Sequence, residues 1–200
     1  RVSALVGQIL SFSRRLDTEP VPLDLGPLVK EVARMVKAGL PPTVRLSVEI
    51  PGQSFCVMAD PSQLHQVVLN LVTNAHQALG AGGGEVRIAL GDETIQPSDA
   101  RVGPSPPPGD YRVLRVTDTG CGMDQRTQER IFEPFFTTKP VGKGTGMGLA
   151  LVHGIVTSCG GAVLVESELG KGSTFRVFLP GCELTHRTAD EPEVSACGAG

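Results

Sequence analysis

An α/β fold is what this sequence predicts, on three observations. Apolar residues recur at helical spacing through residues 25–36 and again through 64–75, whereas 44–50, 111–118 and 173–180 read as strands. With 40% hydrophobic residues, 200 residues can bury one good core and leave room for a helical appendage. A formal net charge of -3 gives no broad basic field, so nucleic acid is not an expected partner. Cys56, Cys121, Cys159, Cys182 and Cys197 form no C-x-x-C pair, and their odd number argues against a disulfide framework and for a reducing, cytoplasmic setting. No apolar run reaches about 18 residues and no signal-like segment opens the chain, so no membrane contact is expected of this segment. A membrane anchor in a longer parent stays open.

Taken in order, "RVSALVGQILSFSRRL" (1–16) sets Val2, Leu5, Val6, Ile9, Phe12 and Leu16 in one helical stripe without a cap, as expected for the end of a longer helix seeking a helical partner. "DTEPVPLD" (17–24) reads as a proline-bearing linker. Asp24 can then cap a helix whose apolar face holds Leu25, Leu28, Val29, Val32 and Val36. The period switches to two in "TVRLSVEI", and "FCVMA" follows as a second strand. "DPSQLHQVVLNLVTNAHQAL" is the best-marked helix, with Asp60 as N-cap and Pro61 in the first helical position. "EVRIAL" and "YRVLRVTD" read as strands separated by a loop holding Pro104, Pro106, Pro107 and Pro108, expected to be mobile. "AVLVESE", the turn "LGKG" and "STFRVFLP" form a closing hairpin, and the polar stretch 181–200 reads as a disordered tail or linker.

Three features carry chemistry. Gln66, Asn70 and Asn74 fall four apart, which lines up their amides beside the apolar face of the helix capped by Asp60. Such a row is either solvated or supplies oxygen ligands to a hard cation such as Mg2+, which keeps waters and phosphates in its shell. Asp118 ends a strand with Gly120 and Gly122 behind it; this is either an Asp-Gly turn or a carboxylate placed to accept from the amino group of a base. Last, "GKGTGMGLALVHG" alternates Gly142, Gly144, Gly146 and Gly148 before running into a helix. The first N–H groups of that helix suit an anion. A P-loop is excluded because Lys143 and Lys171 are each followed by glycine, and the G-x-G-x-G spacing is not a dinucleotide fingerprint.

Together these stretches resemble a known family. In order, the Asn70/Asn74 helix, "DTGCGM", "FEPFFTTK", "GTGMGLALVHGIV" and "GKGSTFRVFLP" resemble the N, G1, F, G2 and last glycine boxes of the sensor histidine kinase ATP-binding domain. The match covers about residues 20 to 180, and "LVGQILSFSRR" resembles the end of a dimerisation and phosphoacceptor helix. The resemblance implies the Bergerat fold, a two-layer α/β sandwich with a mixed, mostly antiparallel sheet and helices on one face. It implies four segments: 1–16, the end of the dimerisation helix; 17–24, a linker; 25–180, the ATP-binding catalytic domain; and 181–200, a tail.

By the same resemblance Asn70 would hold Mg2+, and Asn74 would support the phosphates or metal waters. Asp118 would accept from the adenine amino group, Gly120 and Gly122 would let the ring approach, and Thr174 would complete the polar side of the adenine pocket. Gly144, Thr145, Gly146, Met147, Gly148 and Leu149 would form the lid hinge and the N–H cradle for the triphosphate. Lys139 and Lys143 are candidates for phosphate charge, with a solvated role equally open for Lys143, and Phe135 and Phe136 would anchor the lid. Gln66 stands where ATP-hydrolysing relatives place a water-activating glutamate; glutamine takes up no proton, so direct hydrolysis should be poor.

The implied activity is transfer of the ATP γ-phosphoryl to a histidine, then to an aspartate of a response-regulator receiver domain, within a homodimer formed by the dimerisation helices. The assigned catalytic residues are Asn70, Gln66 and Lys139. His65, His76, His153 and His186 lack a phosphoacceptor context, so the substrate histidine is expected upstream of this chain. The alternatives are a same-fold ATPase or protein-serine kinase, which would normally show glutamate in place of Gln66, and a nucleotide-binding regulatory module without transfer activity.

Overall fold

The computed structural model describes residues 19–96, 106–139 and 144–182. The helical reading of 1–16, the proline loop across 97–105, Lys143 and the tail from 183 lie outside the described residues.

Strand β1 (Val21–Asp24) leads into helix α1 (Leu25–Lys37), whose N-cap Asp24 accepts from the Gly26 N–H at 2.9 Å. Strands β2 (Val44–Glu49) and β3 (Cys56–Ala59) precede α2 (Pro61–Leu79), capped by Asp60 onto the Ser62 N–H with Pro61 at the first position. Then come β4 (Gly84–Ile95), β5 (Gly109–Asp118), the short α3 (Gln125–Arg130), α4 (Gly148–Ser158), β6 (Ala162–Glu168) and β7 (Gly172–Pro180). Both caps follow from the local rule that an aspartate oxygen satisfies an orphan N–H of the first turn.

The main sheet runs in the order β2-β4-β5-β7-β6, parallel between β2 and β4 and antiparallel elsewhere. Strand alternation sends Val86, Ile88, Leu114, Val116, Phe175 and Val177 to one face, where they meet Leu64, Val67, Leu71 and Val72 of α2 and Val29 and Val32 of α1 in the main core. This is the two-layer, helices-on-one-face arrangement expected. The other face carries a smaller cluster of Ile95, Tyr111, Val113 and Phe178, with the Tyr111 hydroxyl donating to the Pro107 carbonyl at 2.9 Å.

Three expectations change. Residues 21–24, read as linker, form β1 and pair antiparallel with β3, Val21 opposite Ala59 through Asp24 opposite Cys56. A four-residue strand containing proline carries no periodicity of its own; its partner, about 35 residues away, supplies the order. The cysteine reading is also corrected, because Cys56 and Cys182 form a disulfide with their Cα atoms 5.3 Å apart across 126 residues. An isolated bridge between Val57 and Gly181 extends β7 onto β3 and brings the two sulfurs together, so Gly181 and Cys182 belong to the fold and not to the tail. No sequence spacing announces a pair that tertiary structure alone assembles.

Candidate nucleotide site

Between α2, the end of β5, the segment after α3 and the start of α4 lies a cavity of about 520 Å3. Its longest wall is α2. The apolar face of that helix is committed to the core, which leaves Asn70, Thr73, Asn74 and Gln77 along the cavity flank at helical spacing. Gly148, the first residue of α4, stands close enough that a Cβ there would sit 3.4 Å from Asn70 Oδ1. The α4 N-cap, Met147, makes no side-chain capping bond, so the first-turn N–H groups have no side-chain partner from the cap where Gly148 and Leu149 line the cavity.

Asp118 ends β5 and is 3% exposed. Burial raises its pKa, and hydrogen bonds from the backbone of Gly120, at 2.8 Å, and of Ser173 pull it partly back. The loop behind it is clamped from both sides. Cys121 N–H donates to the Ala78 carbonyl at 3.0 Å, and Gly170 N–H donates to the Cys121 carbonyl at 2.8 Å. A Cβ on Gly120 would press on the Ala78 carbonyl, and one on Gly122, at φ 64°, would collide with that of Glu168. Those glycines are therefore required by protein backbone first; Gly122 also lines the cavity, whereas Gly120 does not.

On the far side, Phe135 and Gly146 join the two roots of the glycine-rich segment. Phe135 adopts φ 67°, costly for a bulky residue, and donates its N–H to the Gly146 carbonyl at 2.9 Å. Gly146 sits at φ 66°, and a Cβ there would overlap the Phe135 backbone. The expectation that both phenylalanines bury their rings holds for Phe136 only. Phe136 packs on the core with the Arg130 guanidinium 4.4 Å from its ring centroid, while Phe135 is 64% exposed.

Of the residues assigned from sequence, the wall brings together Asn70, Asn74, Asp118 and Lys139 with Gly144, Thr145 and Gly146. Gln66, one turn before Asn70, and Met147 are not in the described wall. Thr174 is displaced by strand parity: its hydroxyl lies 3.1 Å from that of Thr117 on the outer face of the sheet, and Ser173, paired with Asp118, faces the cavity instead. Thr174→Val is therefore expected to leave nucleotide affinity within about twofold while costing about 1 kcal/mol of stability through the lost hydrogen bond. A tenfold loss in a fluorescence titration would return Thr174 to the site. Sequence reading also passed over Thr73 and Gln77, although Gln77 continues the spacing of Asn70 and Asn74.

Among the described residues no group of three His, Cys, Asp or Glu side chains is placed to hold a metal. The fit to Mg2+ is of another kind: Asn70 lies in the wall, and a neutral amide oxygen suits a cation whose charge is balanced by phosphates.

Residues 59–182 match the model of the family described as histidine kinase-, DNA gyrase B-, and HSP90-like ATPase. The chain is 39% identical over 198 residues to the sensor kinase CckA of Brucella abortus, covering 98% of this chain and 20% of that protein. It superposes on the nucleotide-free catalytic domain of histidine kinase ThkA with a TM-score of 0.65 at 26% identity, covering 82% of this chain and 97% of that one. Against full-length ShkA in complex with AMPPNP the TM-score is 0.68 at 27% identity, covering 90% of this chain and 35% of that one. The chain thus spans about a fifth to a quarter of the length of the curated relatives it matches. No described helix is long and apolar enough to cross a membrane.

Proposed function

The chain belongs to the histidine kinase-, DNA gyrase B- and HSP90-like ATPase family, and from that membership we propose that it is the ATP-binding catalytic segment of a two-component sensor histidine kinase. It directs the γ-phosphoryl of ATP to a histidine outside this segment. The observation that carries the proposal is the order of groups along α2. Asp118 stands beside Ala78 at the C-terminal end of the helix, through Gly120 and Cys121. Asn70, beside the N-terminus of α4, lies eight residues back, about 12 Å along the axis.

Adenine fits the first end, because its exocyclic amino group donates and a carboxylate accepts. Guanine would set a carbonyl oxygen against that carboxylate. Phosphates fit toward the other end, where the first-turn N–H groups of α4 and the Asn70 amide lie, with Asn74 one turn on and the Lys139 ammonium between the two ends, against Asn74 and Gln77. When bound with ATP, Mg2+ would neutralise phosphate charge, and Asn70 is the residue assigned to hold it, with Asn74 in support. The chain's own residues bind, orient and neutralise without forming a covalent intermediate. Gln66 supplies no base, which favours an external nucleophile over water.

The partners that follow are the dimerisation helices of a second copy and a receiver domain that takes the phosphoryl group onto aspartate. The setting that follows is the cytoplasm, where cellular thiols would keep the Cys56–Cys182 bond open to reduction. Titration calorimetry with ATP and GTP in the presence of Mg2+ tests the central claim. Binding of ATP with no measurable binding of GTP is expected; absence of ATP binding overturns the reading.

A further inference from the structure

We propose that Gln77 is a positioning residue for the triphosphate: with Asn74 it holds the Lys139 ammonium inside the cavity, leaving one ammonium proton for a phosphate oxygen. The inference rests on the adenine-nucleotide reading of the site. Lys139 Nζ donates to Asn74 Oδ1 at 3.3 Å and to Gln77 Oε1. An ammonium has three donors and no acceptor, so two bonds to helix amides leave a third. The stem runs close beside Gly144. Lys139 N–H donates to Thr137 Oγ1 at 3.2 Å, and a Cβ on Gly144 would lie 3.2 Å from Lys139 Cδ and 2.6 Å from that same hydroxyl. The lysine thus lies between Gly144 and α2.

The chemistry of the partners matters as much as their place. Lys139 is the one cation in the described wall, and Asp118 its one acid. Neutral amides orient the ammonium without cancelling its charge, which a carboxylate at the position of Gln77 would do. Partial burial, which lowers the lysine pKa, agrees with an ammonium held off bulk water.

The test is a calorimetric comparison of ATP and adenosine on the whole 200-residue chain. Gln77→Ala should weaken ATP about five- to tenfold, the size of one net hydrogen bond, and leave adenosine unchanged. Gln77→Glu should weaken ATP further, because it pairs with Lys139 and repels phosphate. In a Lys139→Ala background, Gln77→Ala should have no further effect. Gln77 is exposed, so neither substitution at that position threatens the fold. Equal losses for ATP and adenosine, or a Gln77 effect that persists undiminished without Lys139, would overturn the role. So would an unchanged ATP affinity in Gln77→Ala beside normal binding by the unsubstituted chain, with the nucleotide reading left standing. Failure of the unsubstituted chain to bind either ligand would overturn that reading and this inference with it.

Discussion

Asp118→Asn is expected to weaken ATP binding by one to two decades. The carboxylate already accepts from the backbone of Gly120 and Ser173, and in the proposed nucleotide complex it would accept from the adenine amino group as well. Two carboxylate oxygens can serve three donors. An amide has one acceptor oxygen, and its NH2 group would face a donor whichever way it turned. Losing a hydrogen bond to a charged group is worth about 1.5–3 kcal/mol, which gives the expected range. The fold should respond differently from the site. Burial raises the pKa of Asp118 in the folded chain above the ordinary 3.8, so the folded state binds its proton more readily than the unfolded state. The stabilising contribution of the protonated form is therefore fully present below the unfolded pKa and is lost as pH rises through the folded one. At neutral pH the free chain carries the whole cost of a buried charge. Denaturant unfolding should show the parent gaining on the Asn variant between pH 7 and pH 4. A constant difference across that range would mean that burial does not shift Asp118, and an unchanged ATP affinity would remove it from the adenine site.

What could be read in advance follows the range of the forces involved. Asp24, Asp60 and Pro61 are legible because a cap is made within three residues of itself. Asp118 is legible at a strand end because alternation stops there and glycines follow. Asn70 and Asn74 stand out because asparagine is a poor choice inside a helix unless its amide is needed. Gln77 lay within the same rule, at seven residues from Asn70, but glutamine is an ordinary helix former and raises no question by itself. Strand parity decided Ser173 against Thr174. A one-residue register distinguishes the cavity face from the outer face, and the pairing of Asp118 with Ser173 that fixes it is made across the sheet. The disulfide and β1 were illegible for a related reason: β3 is the partner in both cases, and nothing near residues 21–24 or 182 points to it. The left-handed Phe135 belongs here too. Its conformation is imposed by Gly146, on the other root of the segment.

Incubated with ATP and Mg2+, the chain should acquire acid-labile phosphate only when a helical dimerisation segment bearing a nucleophilic histidine is supplied. Asn70→Ala should then cut labelling by more than about a hundredfold, the scale on which lost positioning acts in phosphoryl transfer. The first half rests on where the histidines lie. His65 and His76 are carried by α2 and His153 by α4, where its ring packs 5.3 Å from that of Phe132; none of the three is in the cavity wall. His186 falls in the stretch beyond the described residues. An in-line attack on a γ-phosphoryl near Asn70 requires a nucleophile that these positions do not offer. The second half separates function from folding. The Asn70 Nδ2 is buried without a partner, so its desolvation destabilises the free chain, and alanine removes that cost along with the amide. The variant should therefore unfold at the same midpoint as the parent or above it, while losing the Mg2+-dependent part of its ATP affinity. A large drop in stability would show that Asn70 is structural. Strong labelling of the chain alone on His65, His76 or His153 would contradict an external acceptor, and phosphate on serine would move the assignment to the protein-serine kinases of the same fold.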